Sequence, residues 1–293
     1  MTGSDSAVLT IRDLTVSTPA AKEGRPIVAG LDLSLHRGAV HGIAGESGSG
    51  KTMTALAILG LLPTGMTATG SITLSSNAGE TELVSAPART LGSIRGRRVA
   101  MIFQDPSTSL HPQLSVGRQL TDHVRHHLAL SKDEARAKAV ALLERVAVPD
   151  PLVAMKKFPH QFSGGQRQRI AIAVALACDP EVLLADEPTT ALDVTVQAGV
   201  LRLLRDMVDE SGLSMLFVTH DLGVMSAIAD HVSIMRAGVV VESGTRHQVF
   251  SAPQHEYTRS LLEALPGSSF EEAPEALVDH LLHEAEQPNE EVS

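Results

Sequence analysis

The run Gly45-Glu46-Ser47-Gly48-Ser49-Gly50-Lys51-Thr52 spaces a glycine, four residues and Gly-Lys-Thr. It lies between a short apolar segment, Ala39 to Ala44, and a helix-forming stretch, Met53 to Leu62, that stops at Pro63. Glycines at this spacing let backbone N–H groups turn inward around an anion, and the positive end of the following helix adds to the attraction. The pattern predicts a nucleoside triphosphate held by Gly45, Glu46, Ser47, Gly48, Ser49, Gly50, Lys51, Thr52 and Met53. Lys51 would reach the β- and γ-phosphates, and the Thr52 hydroxyl would ligate Mg²⁺. A Gly/Ser turn with a chance lysine is the bland alternative, and the strand before and helix after the loop speak against it.

Such a loop needs a further carboxylate for the metal, at the end of a neighbouring buried strand. Val182-Leu183-Leu184-Ala185-Asp186-Glu187 supplies apolar residues and then two acids. Asp186 is placed for Mg²⁺ and Glu187 for polarising the attacking water. An acid pair after a strand is often a solvated turn, and the upstream loop is what raises the catalytic reading.

Three more polar residues stand where apolar segments end. Gln104 follows Met101-Ile102-Phe103 and could touch the metal or the attacking water. His220 follows Leu216-Phe217-Val218-Thr219 and could contact the γ-phosphate. Asp193 closes Thr190-Ala191-Leu192-Asp193. Taken singly, each reads as a strand-end polar residue or a helix cap; their order as a set is what singles them out. Ser163-Gly164-Gly165-Gln166 opens a helix, a second anion-binding constellation. It is either a serine N-cap or a grip on the γ-phosphate of a nucleotide held by a partner, with two nucleotides sandwiched in a head-to-tail dimer.

These residues need a parallel sheet to carry them. Helix Gln166–Ala177, strand Val182–Asp186, helix Val194–Val208 and strand Ser214–Thr219 alternate, the mark of strands joined by crossover helices. Leu31, Leu33 and Leu35 alternate within Leu9–Arg37, which reads as antiparallel strands. Ser71–Leu74 and Val99–Phe103 read as further strands, and Val232–Glu242 as a hairpin around Arg236-Ala237-Gly238. From about Pro106 to His160 the chain is polar and helical, with Ser131 and Glu134 spaced as a capping box. The expected organisation is an α/β core with an antiparallel β subdomain over 1–104 and 166–250, an inserted helical subdomain over 105–165, and a C-terminal extension over 251–293.

Of the 293 residues, 43% are hydrophobic and 20% charged, which excludes wholesale disorder. Aromatics are 2%, with no Trp and one Tyr, so a stacking surface for single-stranded nucleic acid is not expected. The net charge is −10, and Glu271–Ser293 holds eight acids without Lys or Arg, a tail expected to be solvated. No basic surplus is left for phosphate neutralisation, so nucleic acid is not an expected partner. Cys178 is the one cysteine, which excludes an internal disulfide or a multi-cysteine cluster and fits a reducing cytoplasm. Met1–Ala7 lacks the basic-then-hydrophobic pattern of a secretory signal. The longest apolar run, Ile170–Cys178, is about half of what a membrane helix needs. A membrane role would come through a partner.

In this order the motifs resemble the ATP-binding cassette (ABC) family, over about Leu9 to Pro266. The resemblance implies a P-loop NTPase core of ABC type with ATP and Mg²⁺ as ligands. Glu187, His220 and Gln104 take the catalytic positions, and Thr52, Gln104 and Asp186 the metal positions. Ser163, Gly164, Gly165 and Gln166 form the signature that acts in trans, and Asp193 couples the dimer. It also implies docking of the helical insertion on transmembrane permease subunits, at the cytoplasmic face of the cell membrane. Gly50-Lys51-Thr52-Met53-Thr54-Ala55-Leu56, Phe103-Gln104-Asp105-Pro106 and Phe158-Pro159-His160-Gln161-Phe162-Ser163-Gly164-Gly165 resemble the ATPase subunits of dipeptide, oligopeptide and nickel importers. So does Pro253-Gln254-His255-Glu256-Tyr257-Thr258-Arg259-Ser260-Leu261-Leu262, with Glu256 where Pro is usual. The subgroup implies a sister ATPase chain and an extracytoplasmic solute-binding protein as partners. A soluble, non-transport ABC ATPase acting as a mechanical switch is the alternative.

Two departures matter. Phe162 stands where the signature commonly has Leu. No aromatic precedes Phe103, whereas the family stacks adenine on one near Thr18, so weak discrimination between ATP and GTP is expected. His123, His126 and His127 have helical metal spacing but no fixed acid or cysteine partners, and are expected to form a solvated helix face.

Overall fold

The computed structural model describes residues 6–18, 25–76, 79–190 and 192–264. The acidic tail from Glu271 lies outside the described residues, as does the C-terminal extension beyond Ala264. The chain forms two compact units, one from residues up to Pro87 together with those from Asp193 onward, the other from Ala88–Leu192.

The first pass through the first unit contains β1 (Ala7–Ser17), β2 (Val28–His36), β3 (Val40–Ala44), α1 (Lys51–Ile58), β4 (Thr67–Ser76) and β5 (Gly79–Glu82). The second unit follows with α2 (Ala88–Ile94), β6 (Val99–Ile102), α3 (Pro106–Ser109), α4 (Val116–Leu128), α5 (Lys132–Arg145), α6 (Pro151–Ala154), α7 (Gly164–Leu176) and β7 (Val182–Asp186). The chain then returns through α8 (Val194–Ser211), β8 (Ser214–Thr219), α9 (Leu222–Ile228), β9 (His231–Arg236), β10 (Val239–Thr245), α10 (Arg246–Ser251) and α11 (Glu256–Glu263).

In the first unit, β1 pairs antiparallel with β2 and with β4, and β4 with β5. Leu9 and Ile11 oppose Leu35 and Leu33 on one side and Leu74 and Ile72 on the other, and all six are buried. The register shifts between Ile11 and Leu14, where Asp13 takes φ 48°. This bulge adds the one residue that returns Leu14 and Val16 to the buried face.

A second sheet of this unit places β3 between β8 and β9, parallel to both, with β10 antiparallel to β9. β3 and β8 are buried at every position, as central parallel strands must be. His41 is buried in β3, its Nδ1 3.1 Å from the Ser34 carbonyl and its Nε2 2.9 Å from the Ser233 hydroxyl. Asp230 accepts from the Val40 backbone at 2.8 Å and pairs with Arg205 of α8 at 2.9 Å, which fixes the start of β3.

Helix limits differ from the sequence expectation where glycine and caps decide them. α1 ends at Ile58 rather than Leu62, because Gly60 at φ 61° closes it: Gly60 N–H bonds to the Ala57 carbonyl and Leu61 N–H to that of Leu56. α7 begins at Gly164 rather than Gln166, directly after the Ser163 cap. α8 runs three residues beyond Val208, to Ser211, where Gly212 at φ 66° ends it.

In the second unit, β6 and β7 pair in parallel, Ile102 opposite Ala185. Arg98 and Glu181 pair at 2.7 Å at the start of these strands. α5 carries the full Ser131–Glu134 capping box. Leu120, Val124, Ala135, Ala139 and Leu143 bury the facing stripes of α4 and α5. Cys178 follows α7 and is buried, its thiol pushed up to about 11 by burial and by the neighbouring Asp179 carboxylate.

Candidate active site

The buried strand β3 delivers the chain into Gly45–Gly50, and α1 starts directly after it. Gly45, Gly48 and Gly50 take φ of 151°, 80° and 107°, a region open to glycine and closed to most side chains. Gly45 has no room either: a Cβ there would lie 2.0 Å from the Met235 carbonyl oxygen. The turn of the β9–β10 hairpin supports the loop, with Gly238 N–H donating to the Ser49 carbonyl at 3.0 Å.

Lys51 is buried, and its ammonium donates to the carbonyls of Gly45 at 2.7 Å and Glu46 at 2.9 Å. The lysine therefore lies over the loop it belongs to, its charge held at the loop's mouth. No side chain caps α1, and the Ser49 hydroxyl is buried without a hydrogen bond. Uncapped N–H groups, an orphaned hydroxyl and a fixed cation fit a polyphosphate. Thr52 is exposed beside them.

In the second unit, β6 and β7 end side by side, and two residues beyond the paired Ile102 and Ala185 come Gln104 and Glu187. Gln104 Nε2 donates to Glu187 Oε2 at 2.9 Å. The Thr190 hydroxyl donates to the same oxygen at 3.0 Å. Glu187 itself takes φ 47°, a left-handed conformation uncommon outside glycine and concentrated at functional positions. Asp186, the last residue of β7, is buried. Sequence reasoning found Gln104, Asp186 and Glu187 and missed Thr190; the available signal was Pro188, which forces a turn that carries Thr190 back toward the acid.

Ser163 is an N-cap: its hydroxyl accepts from Gln166 N–H at 3.3 Å, and Gln166 Oε1 accepts from Ser163 N–H at 3.1 Å. Asp193 caps α8 by accepting from Val196 N–H at 2.9 Å. His220 is exposed directly after β8, in the same unit as the phosphate loop. Thus Gly45–Met53, His220 and Asp193 belong to the first unit, and Gln104, Ser163–Gln166, Asp186 and Glu187 to the second.

The α4 histidines differ from the expected solvated face. His126 is exposed, but His123 is half-buried against Gly96, where a Cβ would lie 2.7 Å from the His123 ring. The rings of His123 and His126 each meet that of His127 edge to face, at 4.8 and 4.7 Å. Burial and the neighbouring imidazoles hold His123 below its ordinary pKa.

A family profile described as ABC transporter matches residues 28–190, from the start of β2 to Thr190. The chain belongs to the ABC transporter family. This ABC protein is 46% identical to the probable D,D-dipeptide transport ATP-binding protein DdpD of Escherichia coli (strain K12), over 88% of its own length and 78% of that relative's. It is 43% identical to the oligopeptide transport ATP-binding protein OppD of Bacillus subtilis (strain 168), over 88% of its own length and 72% of the other's. Among solved structures, the dimeric, post-hydrolysis ATP-binding cassette MJ0796 bound to ADP and Pi matches with a TM-score of 0.71 at 26% identity, covering 81% of this chain and 98% of that one. The ABC chain has the expected fold, a P-loop α/β core with an antiparallel sheet. Its activity is that of an ATPase coupled to transport. The alternative of a non-transport switch is not favoured by these relatives.

Proposed function

We propose that this chain is the ATP-hydrolysing subunit of a membrane importer for peptides or a related small solute, nickel included. The observation that carries the reading is the 46% identity, along most of the chain, to a dipeptide transport ATP-binding protein, joined to a phosphate loop whose glycines, buried Lys51 and unpaired Ser49 hydroxyl fit a polyphosphate. No helix among the described residues is long and apolar enough to cross a membrane. The likeness to transport ATP-binding proteins supports attachment to permease subunits at the cytoplasmic face.

In the proposed mechanism Lys51 and the loop N–H groups hold the β- and γ-phosphates. Thr52, Asp186 and Gln104 would hold Mg²⁺, which when bound offsets charge on the phosphate oxygens. Glu187 takes a proton from the attacking water, its carboxylate aimed by Gln104 and Thr190. His220 contacts the γ-phosphate. Ser163–Gln166 grip the γ-phosphate held by a second ATPase subunit, a sister chain, and Asp193 couples the two. Gly164 supports this role, since a Cβ there would meet nothing within 4 Å among the described residues, so its small size answers no need of its own chain. Closure on ATP and opening after hydrolysis would drive the permease.

The test is to purify the chain from membranes with its permease and sister subunits, reconstitute the assembly and add its solute-binding protein. Di- and oligopeptides are expected to stimulate ATP hydrolysis. Stimulation by an unrelated solute alone would overturn the substrate class, and purification without membrane subunits would overturn the importer.

A further inference from the structure

Ala237 and Gly238 make the two-residue turn between Arg236 and Val239, which face each other across β9 and β10. Their φ angles are 47° and 88°, the pair of left-handed residues that so tight a hairpin requires. The turn touches two other parts of the first unit. Gly238 N–H donates to the Ser49 carbonyl of the phosphate loop at 3.0 Å, and the Gly238 carbonyl accepts from Ala29 N–H of β2 at 2.8 Å.

One carbonyl fills the corner between these segments. A Cβ at Gly238 would lie 2.7 Å from the Ile27 carbonyl oxygen, and a Cβ at Gly50 would lie 2.7 Å from the same oxygen. Ile27 is itself tied to β1, its N–H donating to the Val16 carbonyl at 2.8 Å. A glycine of the hairpin and a glycine of the loop thus close on one anchored backbone group.

The bond to Ser49 fixes the aim of a loop amide. An anion loop works only if its N–H groups turn inward and its carbonyls turn out to other donors. Gly50, at φ 107°, lets the Ser49–Gly50 peptide rotate at small cost, and rotation would present a carbonyl to phosphate. A trans peptide is planar, with C=O and N–H opposed. Holding the Ser49 carbonyl on the hairpin therefore aims the Gly50 N–H away from the hairpin.

We infer that Gly238 is a positioning residue for the nucleotide: its N–H locks the Ser49–Gly50 peptide with the amide facing phosphate, and only glycine fits between that carbonyl and Ile27. This rests on reading Gly45–Thr52 as the nucleotide loop.

Equilibrium binding of Mg·ATP to the purified full chain, followed by calorimetry, tests it. Gly238→Ala pushes the turn off Ile27 and is expected to weaken ATP binding about three- to tenfold, the worth of one hydrogen bond. Gly212→Ala is the matched control. Gly212 has φ 66°, so alanine is strained there too, but its Cβ would meet nothing within 4 Å. That variant is expected to lose stability and keep ATP affinity within about twofold, which separates positioning from a structural role. Unchanged affinity in Gly238→Ala, or an equal loss in Gly212→Ala, overturns the inference. Should Gly238→Ala fold poorly, amide hydrogen exchange on the unaltered chain replaces it. Mg·ATP is expected to protect the Gly238 amide more than the Gly212 amide, which bonds to the Val208 carbonyl within α8, and equal protection overturns the inference. Lys51→Ala distinguishes the two levels: binding retained there sinks the loop reading itself, whereas binding lost there but unchanged in Gly238→Ala sinks this inference alone.

Discussion

Gln104 Nε2 and Glu187 Oε2 lie 2.9 Å apart at the ends of two adjacent parallel strands, and the same carboxylate oxygen accepts from Thr190. Two donors on one oxygen fix the direction of the carboxylate. The residue chosen for this arrangement also bears a left-handed backbone at φ 47°.

Replacing Glu187 by Gln keeps its volume and removes its basicity. Hydrolysis is expected to fall at least about a hundredfold, the ordinary worth of a general base, while ATP still binds. Phosphate release and equilibrium binding measured on one preparation check both halves. Unchanged turnover would take Glu187 out of the catalytic role.

Thr190→Val removes one of the two donors to that oxygen without changing bulk. Turnover is expected to drop about three- to thirtyfold with KM for ATP little changed, because the loss is in aim rather than in binding. Steady-state kinetics separate the two quantities, and a rise in KM alone would contradict the assignment.

Gly45→Ala introduces a Cβ 2.0 Å from the Met235 carbonyl and strains a φ of 151°. The cost in stability is expected to be about 1–3 kcal/mol or more, read from the urea midpoint. Gly164→Ala, whose Cβ meets no atom of the described chain within 4 Å, is the contrasting variant and should leave that midpoint in place.

Burial holds the His41 imidazole neutral and pushes its pKa down to about 4 from 6.5, against the opposing pull of its bond to the Ser34 carbonyl. Between those values the unfolded chain binds the extra proton and the native one does not. Stability from this group is therefore complete above about pH 6.5 and falls as pH drops toward 4, by up to about 3 kcal/mol. His123 and His127 are shifted in the same direction, so the measurement is a difference. Urea unfolding at pH 7 and pH 4.5 should show a smaller loss in His41→Gln than in the unaltered chain.

Competition binding checks base selectivity. With no aromatic residue ahead of Phe103 to stack on adenine, GTP is expected to compete within about tenfold of ATP, stacking being worth about 1–3 kcal/mol per base. A preference above about a hundredfold would mean that another group reads the base.

Much of this site was legible because its chemistry is local. A phosphate loop is a contiguous run whose glycines, lysine and flanking elements all lie within Ala39–Leu62, and Asp186-Glu187 directly ends its strand. What escaped was set by tertiary packing. Thr190 matters through a turn made at Pro188. His41 sits within the apolar run that forms β3, and only the fold brings the Ser34 carbonyl and the Ser233 hydroxyl to its two nitrogens. Helix α9 was missed because it is short, and its start rests on a single cap, Asp221.

The sealed setting of Cys178, with its thiol proton held far above neutrality, leaves this chain almost silent toward maleimides and iodoacetamide at pH 7. A cysteine placed by design on an exposed position such as Glu144 of α5 would then be the reactive one, so a dye or spin label could follow a single chosen point without first stripping the natural sulfur away.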